Sequence, residues 1–281
     1  MLKKRVITAI VLILLILLSI YYLPTRYFTL VAGVFTLIGA WEWTALCGFT
    51  SKLTRSLYLV LLVVLFTSIS ILPSNIAIPA VSGIAIGWWM WALVWILRYQ
   101  YQPHLLHRRK LALGLIGIFI LLPFWFGLVT LHLHQSIQLT AAALFNTPKQ
   151  HILLFIISLV VLADTAAYFV GRRWGKHKLA ERVSPGKTWE GLLGAVLVIL
   201  ILVEPLALLF GIDKFTRVEL FGVALVIIYV SLIGDLFESV IKRLAGVKDS
   251  GNILPGHGGV LDRIDSYTAA IPIFVAMYFL L

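Results

Sequence analysis

Residues 111–133 read LALGLIGIFILLPFWFGLVTLHL, from Leu111 to Leu133, without one Asp, Glu, Lys or Arg. About 20 consecutive apolar residues carry a helix across the hydrocarbon core of a bilayer. Working outward from this stretch, comparable runs occur at roughly 6–23, 27–47, 56–73, 76–98, 151–170, 191–211, 219–240 and 264–281. Backbone groups in lipid must be satisfied within the segment, and these runs lack the alternation of barrel strands, so helices are expected. Over 281 residues, 61% are hydrophobic and 12% charged, with a mean hydropathy of +1.01. That balance excludes a soluble globular domain, a nucleic-acid-binding module and a disordered chain. The expected fold class is all-α, a polytopic integral membrane protein of about nine transmembrane helices. Cys47 is the only cysteine, which excludes a disulfide framework and a thiolate metal cluster.

The formal charge is +11, and the basic residues sit between the apolar runs. Lys3, Lys4 and Arg5 precede the first run in the manner of a signal peptide. The chain then continues Tyr21-Tyr22-Leu23-Pro24 without a small-residue cleavage site, so an uncleaved first span is expected. With the N-terminus inside, only Arg26, Lys149, Lys214 and Arg217 fall outside, leaving 19 of the 23 Lys and Arg on the inner side. The positive-inside rule then puts the N-terminus in the cytoplasm, the C-terminus outside and loops 171–190 and 241–263 on the cytoplasmic face of the inner membrane. Trp88, Trp89, Trp91 and Trp95 crowd the inner half of the fourth span, the pattern of an interfacial aromatic anchor. Gly83 and Gly87 form a G-x-x-x-G pair there, which permits close helix approach within the chain or in a homodimer.

The acids are unevenly placed. Only Glu42 lies in the first 163 residues, and the other eleven fall between Asp164 and Asp265. An acid at the bilayer centre costs ~2.5–3.5 kcal/mol on insertion scales, so such residues mark function. Residues 1–150 therefore read as a scaffold of about five helices. Residues 151–281 read as a catalytic transmembrane domain of about four, served by the two basic loops. Asp164, Tyr168 and Arg172, at i, i+4 and i+8, share one helical face; the structural alternative for Asp164 is an ion pair with a neighbouring helix. In the loop that follows, Gly186-Lys187-Thr188 resembles the end of a P-loop, but position 181 is Glu181 and no strand precedes it, so that motif is rejected. The residue types still suit a phosphate: a cation, a hydroxyl and backbone amides ahead of a helix N-terminus. The third cluster is the densest. Ser231, Asp235, Glu238 and Lys242 form one polar stripe at helical spacing, and Asp262 and Asp265 stand three apart where the last span begins. Carboxylates converging from two helix ends suit a hard cation such as Mg²⁺ together with substrate phosphates. The glycines around His257 let the backbone approach an anion closely. Lys242, Arg243, Lys248 and Arg263 would neutralise phosphate charge.

Residues 239–265 resemble the signature of the CDP-diacylglycerol synthases, or phosphatidate cytidylyltransferases. That signature is Ser-x-aliphatic-Lys-Arg, four residues, Lys-Asp, a short Gly-containing stretch, then His-Gly-Gly-aliphatic-x-Asp-Arg-aliphatic-Asp. The chain supplies Ser239, Lys242, Arg243, Lys248, Asp249, His257, Gly258, Gly259, Asp262, Arg263 and Asp265 in those places. Asp164-Thr165 and Ser184-Pro185-x-Lys187-Thr188-Trp189-Glu190-Gly191 are also similar to the family. The resemblance spans roughly 160–281, and in 1–150 it extends to length and hydropathy alone. It implies that CTP and phosphatidic acid give CDP-diacylglycerol and pyrophosphate, with Asp235 and Asp262 holding Mg²⁺ and room for a second cation. The expected catalytic set is then Asp235, Asp262, Asp265, Lys242, Arg243 and Asp249. The expected substrate-binding set is Ser184, Lys187, Thr188, Lys248, His257, Gly258, Gly259, Arg263, Asp164 and Ser239. Rival readings are another intramembrane transferase, such as a CTP-dependent polyprenol kinase, and a secondary transporter. The Asp-Gly-x-x-Ala-Arg motif of CDP-alcohol phosphotransferases is absent from the sequence. Against a transporter, the acids cluster at the cytoplasmic end of their helices and no internal repeat is evident.

Overall fold

Each apolar run becomes a helix in the computed structural model, which describes residues 2–103, 109–145 and 151–280, the backbone alone for 2–6 and 136–145. The helices are α1 (Leu2–Tyr22), α2 (Thr25–Cys47), α3 (Lys52–Ile71), α4 (Ser74–Tyr101), α5 (Lys110–Phe145), α6 (Ile152–Trp174), α7 (Trp189–Phe210), α8 (Arg217–Leu244) and α9 (Leu261–Leu280). Seven of them, α2 to α8, are long and apolar enough to cross a membrane by length and composition. The chain is thus an all-α polytopic membrane protein. Local chemistry sets the ends. Pro24 and Pro73 precede the first turns of α2 and α4, Thr216 and Glu219 form a reciprocal capping box on α8, and Gly48 takes a φ of 87° to close α2.

Two departures from the sequence expectation stand out. The fifth helix does not stop near residue 133 but continues to Phe145. Residues 134–145 contain no Gly or Pro and end in a run of good helix formers, so nothing breaks the backbone before Pro148. Lys149, expected on the outer side, and Arg108, expected on the inner side, lie outside the described residues. The loop after α6 is also not irregular. It holds a two-stranded antiparallel hairpin of β1 (Lys178–Ala180) and β2 (Ser184–Thr188), pairing Lys178 with Thr188 and Ala180 with Ser184.

α9 is the hub, packing against α2, α4, α5, α6 and α8, while α7 pairs mainly with α6. Trp88 and Trp89 are buried rather than interfacial. With Trp95 they surround Phe237 of α8 at ring-centroid distances of 5.4, 6.1 and 6.3 Å. Burial against an aromatic partner outcompeted the membrane interface, and of this cluster Trp91 remains exposed. Gly83 and Gly87 face outward, and a Cβ added at either would meet no atom within 4 Å, so any close approach they permit lies outside the chain. The two ends of the bundle are distinct. At one end Thr8 donates to Pro255 O, Arg182 reaches Gln100 and Tyr101, and Arg243 reaches Val183. At the other, His151 N–H donates to Phe210 O and Lys214 to Tyr278 O. Segments 175–188 and 245–260, which carry most of the motif residues, share the first end.

Candidate active site

The hairpin brings its motif to the bundle because both its base and its tip are tied down. At the base, Glu190 accepts from His177 N at 3.2 Å and meets His177 Nδ1 at 2.6 Å. At the tip, Arg182 N–H donates to Gln100 Oε1 at 3.1 Å, and Arg243 Nε donates to Val183 O at 3.4 Å. Thr188 ends β2 and caps α7, its hydroxyl accepting from Gly191 N at 3.1 Å. Lys187, one residue earlier, is thereby aimed at α8, where its Nζ lies 2.5 Å from Asp235 Oδ2. Burial pulls the Lys187 ammonium toward neutrality, but the Asp235 and Asp164 carboxylates outweigh it and hold its pKa above the ordinary lysine value. Lys187 is therefore a firm cation at neutral pH.

This pair stands in the wall of a cavity of about 630 Å³ between α6, the hairpin, α7 and α8. Its lining is mixed, with the apolar Ala163, Leu192, Ala195, Ile228 and Leu232 beside the polar Asp164, Arg172, Lys178, Ser184, Lys187 and Asp235. A space with both apolar and ionic walls fits an amphipathic ligand. The Asp164 face behaves as its spacing implies. Arg172 donates to the Tyr168 hydroxyl at 3.0 Å, and Ser266 of α9 donates to Asp164 Oδ2 at 3.4 Å. The last contact ties this face to α9.

A second polar knot lies beside the cavity. Lys242 Nζ sits 2.9 Å from Glu238 Oε2 and 2.7 Å from Asp262 Oδ1, bridging α8 to α9. Asp262 Oδ2 accepts from Ser250 N at 2.9 Å and Gly259 N at 2.8 Å. Gly258 has a φ of +83° and a Cβ there would lie 2.7 Å from Asp262 Oδ2, so glycine is required both for the turn and for the carboxylate. Ser239 donates weakly to Asp235 Oδ1 at 3.4 Å, and Asp265 faces both Asp235 and Glu238, which links knot and cavity. Glu42 of α2 joins the knot by accepting from Ser250 Oγ, Val260 N and Leu261 N. Neither side-chain spacing nor the family signature gives it a role.

The structure thus brings together Asp164, Ser184, Lys187, Thr188, Asp235, Ser239, Lys242, Gly258, Gly259, Asp262 and Asp265. Of these, Asp164, Ser184, Lys187, Thr188 and Asp235 line the cavity and the rest form or adjoin the knot beside it; the remaining expected residues join neither. Arg243 is exposed and holds the hairpin, Lys248, Asp249 and Arg263 are exposed, and His257 is half-buried with its N–H on Leu254 O. Among the described residues no three His, Cys, Asp or Glu converge as a ready metal cage. The donor chemistry nevertheless suits Mg²⁺. Asp235 pairs with Lys187 and shares the cavity wall with Asp164, and Glu238 and Asp262 stand together on Lys242 beside it. Mg²⁺ commonly takes one or two carboxylates and completes its octahedron with water and substrate phosphates.

A charged cavity at one end of a helical membrane bundle, built from carboxylates and cations, is suited to a phosphate-bearing ligand. A sequence model described as "Cytidylyltransferase family" matches residues 3–281, and the chain belongs to that family. The phosphatidate cytidylyltransferase of Pseudomonas aeruginosa is 42% identical over 279 residues, covering 99% of this chain and 97% of that protein. The one from Haemophilus influenzae is 37% identical over 293 residues, covering 99% of each. That of Staphylococcus aureus is 48% identical over 124 residues, 44% of this chain and 47% of its own length. Like these relatives, the protein is a nucleotidyltransferase.

Proposed function

We propose that this enzyme transfers the cytidylyl group of CTP to phosphatidic acid, releasing pyrophosphate and leaving CDP-diacylglycerol in the inner membrane. The observation that carries this reading is the Lys187–Asp235 pair in a cavity lined by both ionic and apolar side chains. The charged groups suit the phosphates of a nucleotide and of a lipid headgroup, and the apolar wall suits acyl chains. A phosphate oxygen of phosphatidic acid attacks the α-phosphorus of CTP in line, and the bond from that phosphorus to the β-phosphate bridging oxygen breaks. The lipid phosphate is already a nucleophile, so no Ser or Cys nucleophile is needed. Both reactants are anionic, and catalysis of such a step rests on positioning and charge stabilisation.

In this reading Lys187 holds phosphate oxygens of CTP, with Arg172 and Lys178 adding positive charge along the same wall. Asp235 and Asp262 would hold Mg²⁺, one carboxylate from α8 and one from α9. When bound, that cation would neutralise charge on the reacting phosphates. Lys242 holds Asp262 against α8. In this reading the site end of the bundle faces the cytoplasm, where CTP is available; the excess of Lys and Arg in its loops supports that orientation. The test is a pyrophosphate-release assay on purified protein, with CTP and phosphatidic acid supplied separately and together, with and without Mg²⁺. Release is expected only when both are present with Mg²⁺. Formation of CDP and a polyprenyl phosphate from CTP and a polyprenol, with no pyrophosphate released, would instead make the enzyme a lipid kinase.

A further inference from the structure

Glu42 is a buried acid that the reaction above leaves without a part. It lies near the end of α2, is 3% exposed, and stands in a run of otherwise apolar and aromatic neighbours. A buried carboxylate persists only where donors meet it. Its donors are the backbone N–H of Val260 to Oε1 at 3.1 Å, the backbone N–H of Leu261 to Oε2 at 2.8 Å and the Ser250 hydroxyl to Oε2 at 3.1 Å. Leu261 opens α9, where a helix leaves its first N–H groups without internal partners and favours a negative charge. A cap ordinarily comes from the residue just ahead of the helix. Here it comes from another helix, 219 residues earlier than Leu261.

The cap leads directly to the carboxylate that the reaction uses. Asp262 follows Leu261, and Ser250 serves both acids, donating its hydroxyl to Glu42 and its N–H to Asp262 Oδ2. Gly251 and Gly259 flank the contact, and a Cβ at either would run into the Glu42 carboxylate. The loop is therefore shaped around this side chain. We propose that Glu42 is a positioning residue: its carboxylate fixes Ser250 and the first turn of α9, and through them the orientation of Asp262, while touching neither substrate. This rests on the cytidylyltransfer reading to the extent that Asp262 acts in that reaction.

Glu42→Gln in the full chain keeps the volume but turns an amide NH₂ toward at least one of the N–H donors. The kcat is expected to fall about 10- to 100-fold, the scale of a 1 Å misplacement. The KM values for CTP and phosphatidic acid should each stay within about threefold, as for a group that acts only on the transition state. Amide hydrogen exchange should quicken across residues 250–262 and stay unchanged in α6, α7 and α8. Ser250→Ala removes one donor of three and should give the same local exchange pattern with a milder loss. Wild-type turnover in a folded Glu42→Gln protein overturns the proposal, as does unchanged exchange at 250–262. A many-fold rise in KM for CTP at constant kcat would make Glu42 a substrate contact, and uniformly faster exchange in every helix would make it merely structural; either outcome also overturns it. Should Glu42→Gln fail to fold, Ser250→Ala decides by the same criteria. An inactive wild type refutes the cytidylyltransfer reading instead, and the exchange profile still judges the clamp.

Discussion

Asp235 and Asp262 carry the same functional group in different surroundings, and their variants should differ accordingly. Asp235 has a side chain 25% exposed that pairs with Lys187, whereas Asp262 is 5% exposed and satisfies Lys242 and two buried N–H groups. Asp235→Asn should lower turnover about 100-fold or more with little change in thermal midpoint, because its loss is felt mainly where phosphate charge develops. Asp262→Asn should lose turnover and also about 2–4 kcal/mol of stability, since the amide keeps one acceptor oxygen and turns its NH₂ toward either the Lys242 ammonium or the Ser250 and Gly259 N–H groups. CDP-diacylglycerol formation across a Mg²⁺ titration, with thermal unfolding in detergent, reads both; equal stability of the two variants would contradict the distinction. Lys187→Met should raise the apparent CTP requirement about 10- to 100-fold and the phosphatidic acid requirement less. A shift confined to the lipid would assign Lys187 to the lipid phosphate. The stripe from Ser231 to Lys242 was legible because helical spacing alone puts Glu238 and Lys242 in contact. Glu42 was not legible, because its partners are backbone groups that leave no trace in side-chain spacing. The available signal was the cost of a lone acid in an apolar run.

At the level of elements, the helices could be read from their apolar runs and the hairpin could not. Ser184-Pro185-Gly186-Lys187-Thr188 has neither the alternation nor the β-branched content of a strand. It is extended because Glu190, Gln100 and Arg243 hold its base and tip, contacts that come from three separate helices. The packing of α8 on α9 was equally hidden, since it depends on one missing side chain. A Cβ at Gly234 would stand 2.5 Å from Asp265 O and 3.1 Å from Ala269 Cβ. Gly234→Leu should force the two helices apart, with a fall of at least about tenfold in turnover and a lower thermal midpoint. Gly83→Ala and Gly87→Ala, on the open face of α4, should leave both unchanged in the isolated chain. A Gly234→Leu protein that unfolds and turns over like wild type would show that the close α8–α9 contact is dispensable.

For the whole molecule, charge distribution and site chemistry require the same side of the membrane. In a Cys47→Ser background, single cysteines at the exposed positions Lys178, Asn252 and Ser74 test this with a membrane-impermeant thiol reagent. On intact cells only the Ser74 position should react; labelling at Asn252 from outside would separate the site from its nucleotide. The contact between Glu42 and α9 adds a constraint in time. A chain made from its N-terminus inserts α2 long before Leu261 exists, and with 219 residues between them the wait is roughly 10–45 s at ~5–20 residues per second. Through that interval the Glu42 carboxylate has none of its eventual donors and must remain hydrated at the membrane boundary. Closing the site must therefore wait for the synthesis of α9, however early the preceding helices have formed.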